Sequence, residues 1–191
     1  KKGFLMVTMF ATMLSFANES TFLTVARDAK KTVLTLNSVK EGNLLTIIDA
    51  NGVVLYKEEI KEAGNYQKAF DLSSLPDGNY IFELEKDLEV DTIPFTVNSS
   101  EVAFDRAHEK VTYKPYARVE DGVVYVSKLS LNESPLKVDI YYGNSVEANL
   151  VYSETIKHTK NIQKAYKLNG FAKGNYRIVF KTDGKIYSQN I

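Results

Sequence analysis

Asn65-Tyr66-Gln67-Lys68-Ala69-Phe70-Asp71-Leu72 returns ninety-six residues later as Asn161-Ile162-Gln163-Lys164-Ala165-Tyr166-Lys167-Leu168. Five of the eight positions are identical, and Phe70/Tyr166 exchanges one aromatic ring for another. The same offset carries Tyr56 to Tyr152, Ile60 to Ile156, and Gly78-Asn79-Tyr80 to Gly174-Asn175-Tyr176. A gapless offset over more than twenty residues marks two copies of one structural unit.

Around this repeat, short alternating runs rich in Val, Ile, Tyr, Phe and Thr recur with turn residues between them. That spacing predicts an all-β sandwich, and no stretch beyond the first residues keeps a helical period. Strands are expected near 21–27, 32–39, 44–49, 53–60, 66–72, 79–86 and 89–97 in the first copy. In the second they are expected near 111–118, 123–131, 136–142, 150–157, 162–168, 175–182 and 185–191. Asn51-Gly52 and Asp183-Gly184 read as two-residue hairpin turns with positive φ at both positions. Pro76-Asp77-Gly78 reads as a tight turn.

Seven strands in each copy predict two tandem immunoglobulin-like or fibronectin-like antiparallel β-sandwiches, over residues 18–100 and 101–191. Tyr80 and Tyr176 then start the sixth strand of each copy, where a tyrosine corner would bond its hydroxyl back to the preceding turn. Both are read as structural. Leu34 and Leu36 alternate before the phase slips to Val39, and Val124 and Val126 alternate before it slips to Leu129. A bulge shared by the copies would explain both slips.

The first residues have another character. Lys1-Lys2 precede an apolar run from Phe4 to Phe16, and Ser15-Phe16-Ala17 supplies small residues at a cleavage site. Residues 1–17 are read as a secretory signal peptide cut after Ala17. No other segment has the length and apolarity of a transmembrane helix. The chain is therefore expected to be exported, to the periplasm or beyond the cell. It has no cysteine, which excludes disulfides, thiol catalysis and cysteine-based metal sites.

The 24 basic and 24 acidic residues are unevenly spread. Residues 18–100 hold 8 Lys/Arg against 14 Asp/Glu, a net of −6, and residues 101–191 hold 14 against 10, a net of +4. Opposite charges favour docking of the halves or head-to-tail association. No basic cluster interleaved with aromatics suggests nucleic acid.

Leu45–Tyr56, with Ile47-Ile48-Asp49-Ala50-Asn51-Gly52 at its centre, and Asp71-Leu72-Ser73-Ser74-Leu75-Pro76-Asp77-Gly78-Asn79-Tyr80-Ile81 carry a resemblance. Together they resemble the C-terminal sorting domains of the type IX (Por) secretion system of Bacteroidetes. A strand ending near Asp-x-x-Gly there precedes a turn of this Leu-Pro-x-Gly-x-Tyr kind. The likeness is best in the first copy. In the second, Leu168–Tyr176 keeps only the skeleton, and no Lys or Arg follows Lys185. The resemblance implies a non-catalytic immunoglobulin-like sandwich in an envelope or secreted protein.

Little in the sequence suggests chemistry. His108 and His158 are the only histidines and lie far apart in the chain. Neither has a second histidine at metal-ligand spacing. There is no Gly-x-Ser-x-Gly elbow and no phosphate-binding loop. Glu83, Glu85, Asp87, Glu89 and Asp91 form one acidic hairpin. It is a candidate calcium cluster if 83, 85 and 87 share an exposed face, and otherwise a charged edge that resists aggregation. The loop Gly143-Asn144-Ser145-Val146-Glu147-Ala148-Asn149 is longer in the second copy and is the candidate partner-binding segment. The function expected is a non-enzymatic interaction module without cofactor, binding a protein partner or itself. The alternatives are a glycan-binding accessory and a small enzyme with a site between the domains.

Overall fold

The computed structural model describes residues 23–28, 31–143, 148–167 and 176–191. Residues 1–17, the expected signal peptide, lie outside them. The protein is all-β; among the described residues every pairing is antiparallel and the strands form four sheets.

In the first half, β1 (Leu23–Asp28), β2 (Lys31–Val39) and β5 (Gly64–Phe70) make a three-stranded sheet in the order β1-β2-β5. A larger sheet takes β3 (Leu44–Asp49), β4 (Val54–Glu59), β6 (Gly78–Glu85), β7 (Glu89–Asn98) and β8 (Glu101–Phe104) in the order β4-β3-β6-β7-β8. Alternate residues of these strands point into one core of Leu34, Leu36, Leu45, Ile47, Phe82, Leu84, Ile93 and Phe95, each at most 4% exposed. Stacked and edge-on rings fill its centre, with Phe82 5.1 Å from Phe95 and Phe70 5.5 Å from Phe82.

The sheet does not stop at residue 100. β8 pairs with the end of β7, and β9 (Lys110–Tyr113) pairs with its start. The strand expected over 111–118 is thus two strands. Its first part belongs to the first-half sheet. Its second, β10 (Tyr116–Glu120), pairs with β11 (Val123–Leu129) in the second half. The break falls at Pro115, which cannot donate to a ladder.

In the second half, β10, β11 and β14 (Asn161–Lys167) form a three-stranded sheet in the order β10-β11-β14. β12 (Leu136–Tyr142), β13 (Asn149–Ile156), β15 (Tyr176–Thr182) and β16 (Lys185–Asn190) form the other, in the order β13-β12-β15-β16. A separate core of Val124, Val126, Leu136, Val138, Ile140, Ile178 and Phe180 lies between them.

The expected turns divide. Asp183 and Gly184 both have positive φ, 51° and 73°, as a two-residue hairpin turn requires. At Asn51-Gly52 only Gly52 does, with φ 83°. There the Gly52 amide bonds the Asp49 carbonyl at 3.1 Å, and the Asp49 carboxylate accepts from the Asn51 and Val53 amides at 2.9 and 2.8 Å. Asp49 therefore organises a longer loop than the dipeptide signalled. Tyr80 is a tyrosine corner: its hydroxyl donates to the Pro76 carbonyl at 2.6 Å. Gly78 lies under the ring, where a Cβ would come within 3.6 Å of it. The turn preceding Tyr176, residues 168–175, lies outside the described residues. The ring of Tyr176 itself is buried, 5.0 Å from that of Tyr142.

The shared bulge is not where the apolar phase placed it. β2 does slip between Leu36 and Val39, with Ser38 at φ 56°. β11 pairs with β14 without a break from Val123↔Lys167 to Leu129↔Asn161. Leu129 is 40% exposed, and the inward position beside it holds Lys128. The alternation was intact, but a lysine stood on the buried side. A bulge common to both halves occurs elsewhere. β4 skips a residue between Tyr56 and Val54, and β13 skips one between Tyr152 and Leu150.

Lys128 is tolerated inside because Asp183 meets it. Its Nζ donates to Asp183 Oδ2 at 2.9 Å, with side-chain exposures of 1% and 8%. Asn132 Nδ2 donates to the other oxygen at 2.9 Å. Burial alone would raise the Asp183 carboxyl, but hydrogen bonds from Asn132, Lys128 and Ser134 hold it far below the usual carboxylate range. Asp183→Asn keeps a residue suited to positive φ and leaves the Lys128 charge buried alone. It is expected to cost about 3–5 kcal/mol in chemical denaturation. Adding Lys128→Met is expected to recover most of the loss. Equal stability of wild type and Asp183→Asn would contradict this account of the pair.

Candidate binding face

The outer face of the β10-β11-β14 sheet follows from register. Residues directly opposite one another across strands share a face. Arg118 pairs with Tyr125, which pairs with Ala165. Tyr116 pairs with Ser127, which pairs with Gln163. Val124, Val126 and Ile162 are buried on the other side, so these six point outward. Short side chains at Ser127 and Ala165 leave a hollow of about 460 Å³ beside Tyr116, Arg118 and Tyr125. Tyr116 is 46% exposed and Tyr125 37%. The Arg118 guanidinium lies over the Tyr125 ring, 4.5 Å from its centroid, and also pairs with Glu120.

The first half carries other residues at the matching register positions. Gln67 pairs with Thr35 and Ala69 with Val33, so Thr35 and Val33 stand where the second half has Ser127 and Tyr125. The sequence reading singled out none of these outward residues. The signal was available, because inward Val124 and Val126 put Tyr125 outward by alternation alone.

What the copies do share is a clasp between their two sheets. Tyr56, Glu58 and Lys68 recur as Tyr152, Glu154 and Lys164. β4 and β5 belong to different sheets, and so do β13 and β14. In the first half Glu58 accepts from Lys68 and from the Tyr56 hydroxyl. In the second, Glu154 accepts from Lys164 at 2.9 Å and from the Tyr166 hydroxyl at 2.8 Å. Tyr56 lies 5.1 Å from Phe70, and Tyr152 lies 5.0 Å from Tyr166. Hydrogen bonds from Lys68 and Lys164 hold the two glutamates below their ordinary range. Burial, with Glu58 beside it, pushes the Tyr66 hydroxyl up to about 12.

The acidic hairpin is split rather than gathered. Glu83 and Glu85 point outward from β6, whereas Asp91 lies opposite Leu84 on the inward side. The carboxylates are drawn apart onto lysines. Glu83 meets Lys185, Glu85 meets Lys114 at 2.8 Å, and Asp87 meets Lys40 at 3.2 Å. Lys86 bridges Glu89 at 2.8 Å and Asp91 at 2.6 Å. Glu83 is buried, so 83, 85 and 87 do not make one exposed acidic face. Among the described residues, no three His, Asp or Glu side chains converge as metal ligands would. Lys185 belongs to β16, so the Glu83 contact joins the acidic half to the basic one.

Of the candidate loop, Gly143, Ala148 and Asn149 are described, and residues 144–147 lie outside. Gly143 has φ 116°. His108 lies 2.6 Å from the Asp105 carboxylate in an exposed turn, and His158 sits in a turn at φ 54°.

Asp91 is 1% exposed, and burial raises its carboxyl, with the Lys86 ammonium only partly offsetting this. A carboxyl whose folded pKa exceeds its unfolded one weakens the fold at high pH and stops doing so as pH falls. Asp91→Asn is therefore expected to raise Tm at neutral pH. The gain should shrink as pH drops through about 4, the ordinary aspartate range. A loss of Tm at neutral pH would mean that Lys86 needs the charge more than burial penalises it.

Among solved structures, the chain is similar to "Biofilm associated protein - BSP domain", at 15% identity and a TM-score of 0.28, over 88% of this chain and 28% of that one. It is also similar to the chicken CNTN1 FN1-FN3 domains, at 10% identity and a TM-score of 0.28, over 86% of this chain and 60% of that one. No curated protein matches. The family model described as the secretion system C-terminal sorting domain matches residues 29–97, from the end of β1 almost to the end of β7. Residues 29–97 are thus similar to the C-terminal sorting domains of the type IX secretion system.

Proposed function

We propose that the chain is an exported, non-enzymatic interaction module made of two tandem seven-stranded sandwiches. Strands β1–β7 and β10–β16 each divide into three and four across two sheets, which supports the shared design. β8 and β9 extend the first unit. The sorting-domain match over residues 29–97 supports export to the cell surface or medium. The observation that carries a binding role is the contrast between the outer faces. The copies share a Glu–Lys contact between their sheets, yet Val33 and Thr35 of the first stand where the second sets Tyr125 and Ser127 beside an open hollow with Tyr116 and Arg118. Exposed aromatics cost solubility, and contact surfaces are enriched in Tyr and Arg.

A protein contact along the β13 edge is the second reading. Leu150 and Tyr152 are 53% and 43% exposed there, and the loop Gly143–Asn149 leads directly into that strand. An exposed edge with apolar side chains suits strand addition by a partner.

One experiment addresses both readings. The tagged chain is expected outside the cytoplasm on fractionation, and to retain material from envelope and medium fractions. Tyr116→Ala/Tyr125→Ala is expected to lose that material, with the circular dichroism spectrum unchanged. Loss instead on shortening 143–149 to Asn-Gly would favour the β13 edge. Retention by both variants, or a chain confined to the cytoplasm, would overturn the reading.

A further inference from the structure

We infer that the hollow on the β10-β11-β14 face is a binding site for a short neutral oligosaccharide. The inference rests on the interaction-module reading above and names its ligand.

The size of the face argues first. Glu120 with Val123 and Lys167, and Leu129 with Asn161, add two further outward rows. With strands about 4.8 Å apart and rows about 6.6 Å apart, three strands by four rows cover roughly 300–400 Å². A stable protein interface needs about 800 Å² on each side. The face is therefore small for a protein partner and suited to a few sugar rings.

Charge argues second. Arg118 is neutralised by Glu120, and Lys164 at the margin is held by Glu154 at 2.9 Å. An anionic ligand would have to displace an existing carboxylate in each case. The other polar groups lining the hollow are neutral, the Tyr116 and Tyr125 hydroxyls, the Ser127 hydroxyl and the Gln163 amide, with the Lys167 ammonium one row away opposite Val123. Gln163 reaches Asn161 only at 3.5 Å, the outer limit of a hydrogen bond, whereas Gln67 in the first half is engaged by Thr35 at 3.3 Å.

Shape argues third. Sugar rings present an apolar face of C–H bonds and an equatorial rim of hydroxyls. Tyr side chains offer the matching surface, with a flat ring for the C–H face and a hydroxyl for the rim. Arg118 stacked on Tyr125 holds that ring in place at little further entropic cost. The small residues Ser127 and Ala165 leave the floor open beneath it.

The test is titration of the ¹⁵N-labelled full chain with cellohexaose, laminarihexaose, xylohexaose and mannohexaose. At least one is expected to shift the amides of Tyr116, Tyr125, Ser127 and Gln163. Tyr125→Ala and Tyr116→Ala are each expected to weaken binding roughly tenfold or more, as loss of a stacked ring should, while Tyr125→Phe keeps most of it. Both positions are exposed, so the variants should fold, and circular dichroism checks that they do. If no saccharide shifts the face, or binding survives Tyr116→Ala/Tyr125→Ala, the sugar assignment is overturned. If that double variant nonetheless loses the material retained from envelope fractions, the interaction reading stands and the ligand is of another class. If the double variant keeps both, the two readings fail together.

Discussion

Each half depends on two sheets burying alternate residues against one another, and on a polar clasp that ties the sheets together at one edge. Glu58 and Glu154 sit on β4 and β13 in one sheet, and Lys68 and Lys164 on β5 and β14 in the other. A sandwich must leave its edges open unless side chains cross the gap. Here a glutamate accepts from a lysine across it, and in the second half also from the Tyr166 hydroxyl, while an aromatic pair packs beside each contact. Tyr56, Glu58 and Lys68 are among the identities at the ninety-six-residue offset. Part of the repeat that stands out in the sequence is thus an edge fastening.

The rest of the polar architecture follows from burial. Lys128 occupies an inward position and is neutralised by Asp183. Asp139, 2% exposed, is held below its ordinary range: the Ser153 hydroxyl and Lys137 outweigh the burial that would raise it. Asp91 is the exception, raised by burial that Lys86 does not fully offset. Charge also crosses between the halves, where Glu83 of the acidic half meets Lys185 on β16.

Much of the fold was legible because alternation and turn chemistry are local. The strand runs, the Tyr80 corner and the Asp183-Gly184 turn could be read from neighbouring residues. What misled the reading was non-local. An apolar count took Leu129 for the inward residue, since nothing near Lys128 announces a partner fifty-five positions away. The strand break at Pro115 depends on β9 finding β7, which composition cannot show. The acidic hairpin looked like a cation site because its lysine partners come from Lys40, Lys114 and Lys185. The outward aromatics were hidden by their own regularity: Tyr125 alternates correctly and breaks no pattern. The proposed binding face is a difference between the copies, visible only once strand register aligns Tyr125 with Val33.

The central claim is that polar contacts made by Glu58 and Glu154 fasten the sheets of each half, Glu154 through both Lys164 and Tyr166. A double-mutant cycle on Glu154→Gln and Tyr166→Phe, read by chemical denaturation, tests it most directly. The two groups meet at 2.8 Å across the sheets, with Tyr166 8% exposed. A coupling of about 1 kcal/mol is predicted for a hydrogen bond to a partly exposed carboxylate. Additive effects, with no coupling, would show that the clasp does not hold the edge, and the repeat would then need a different explanation.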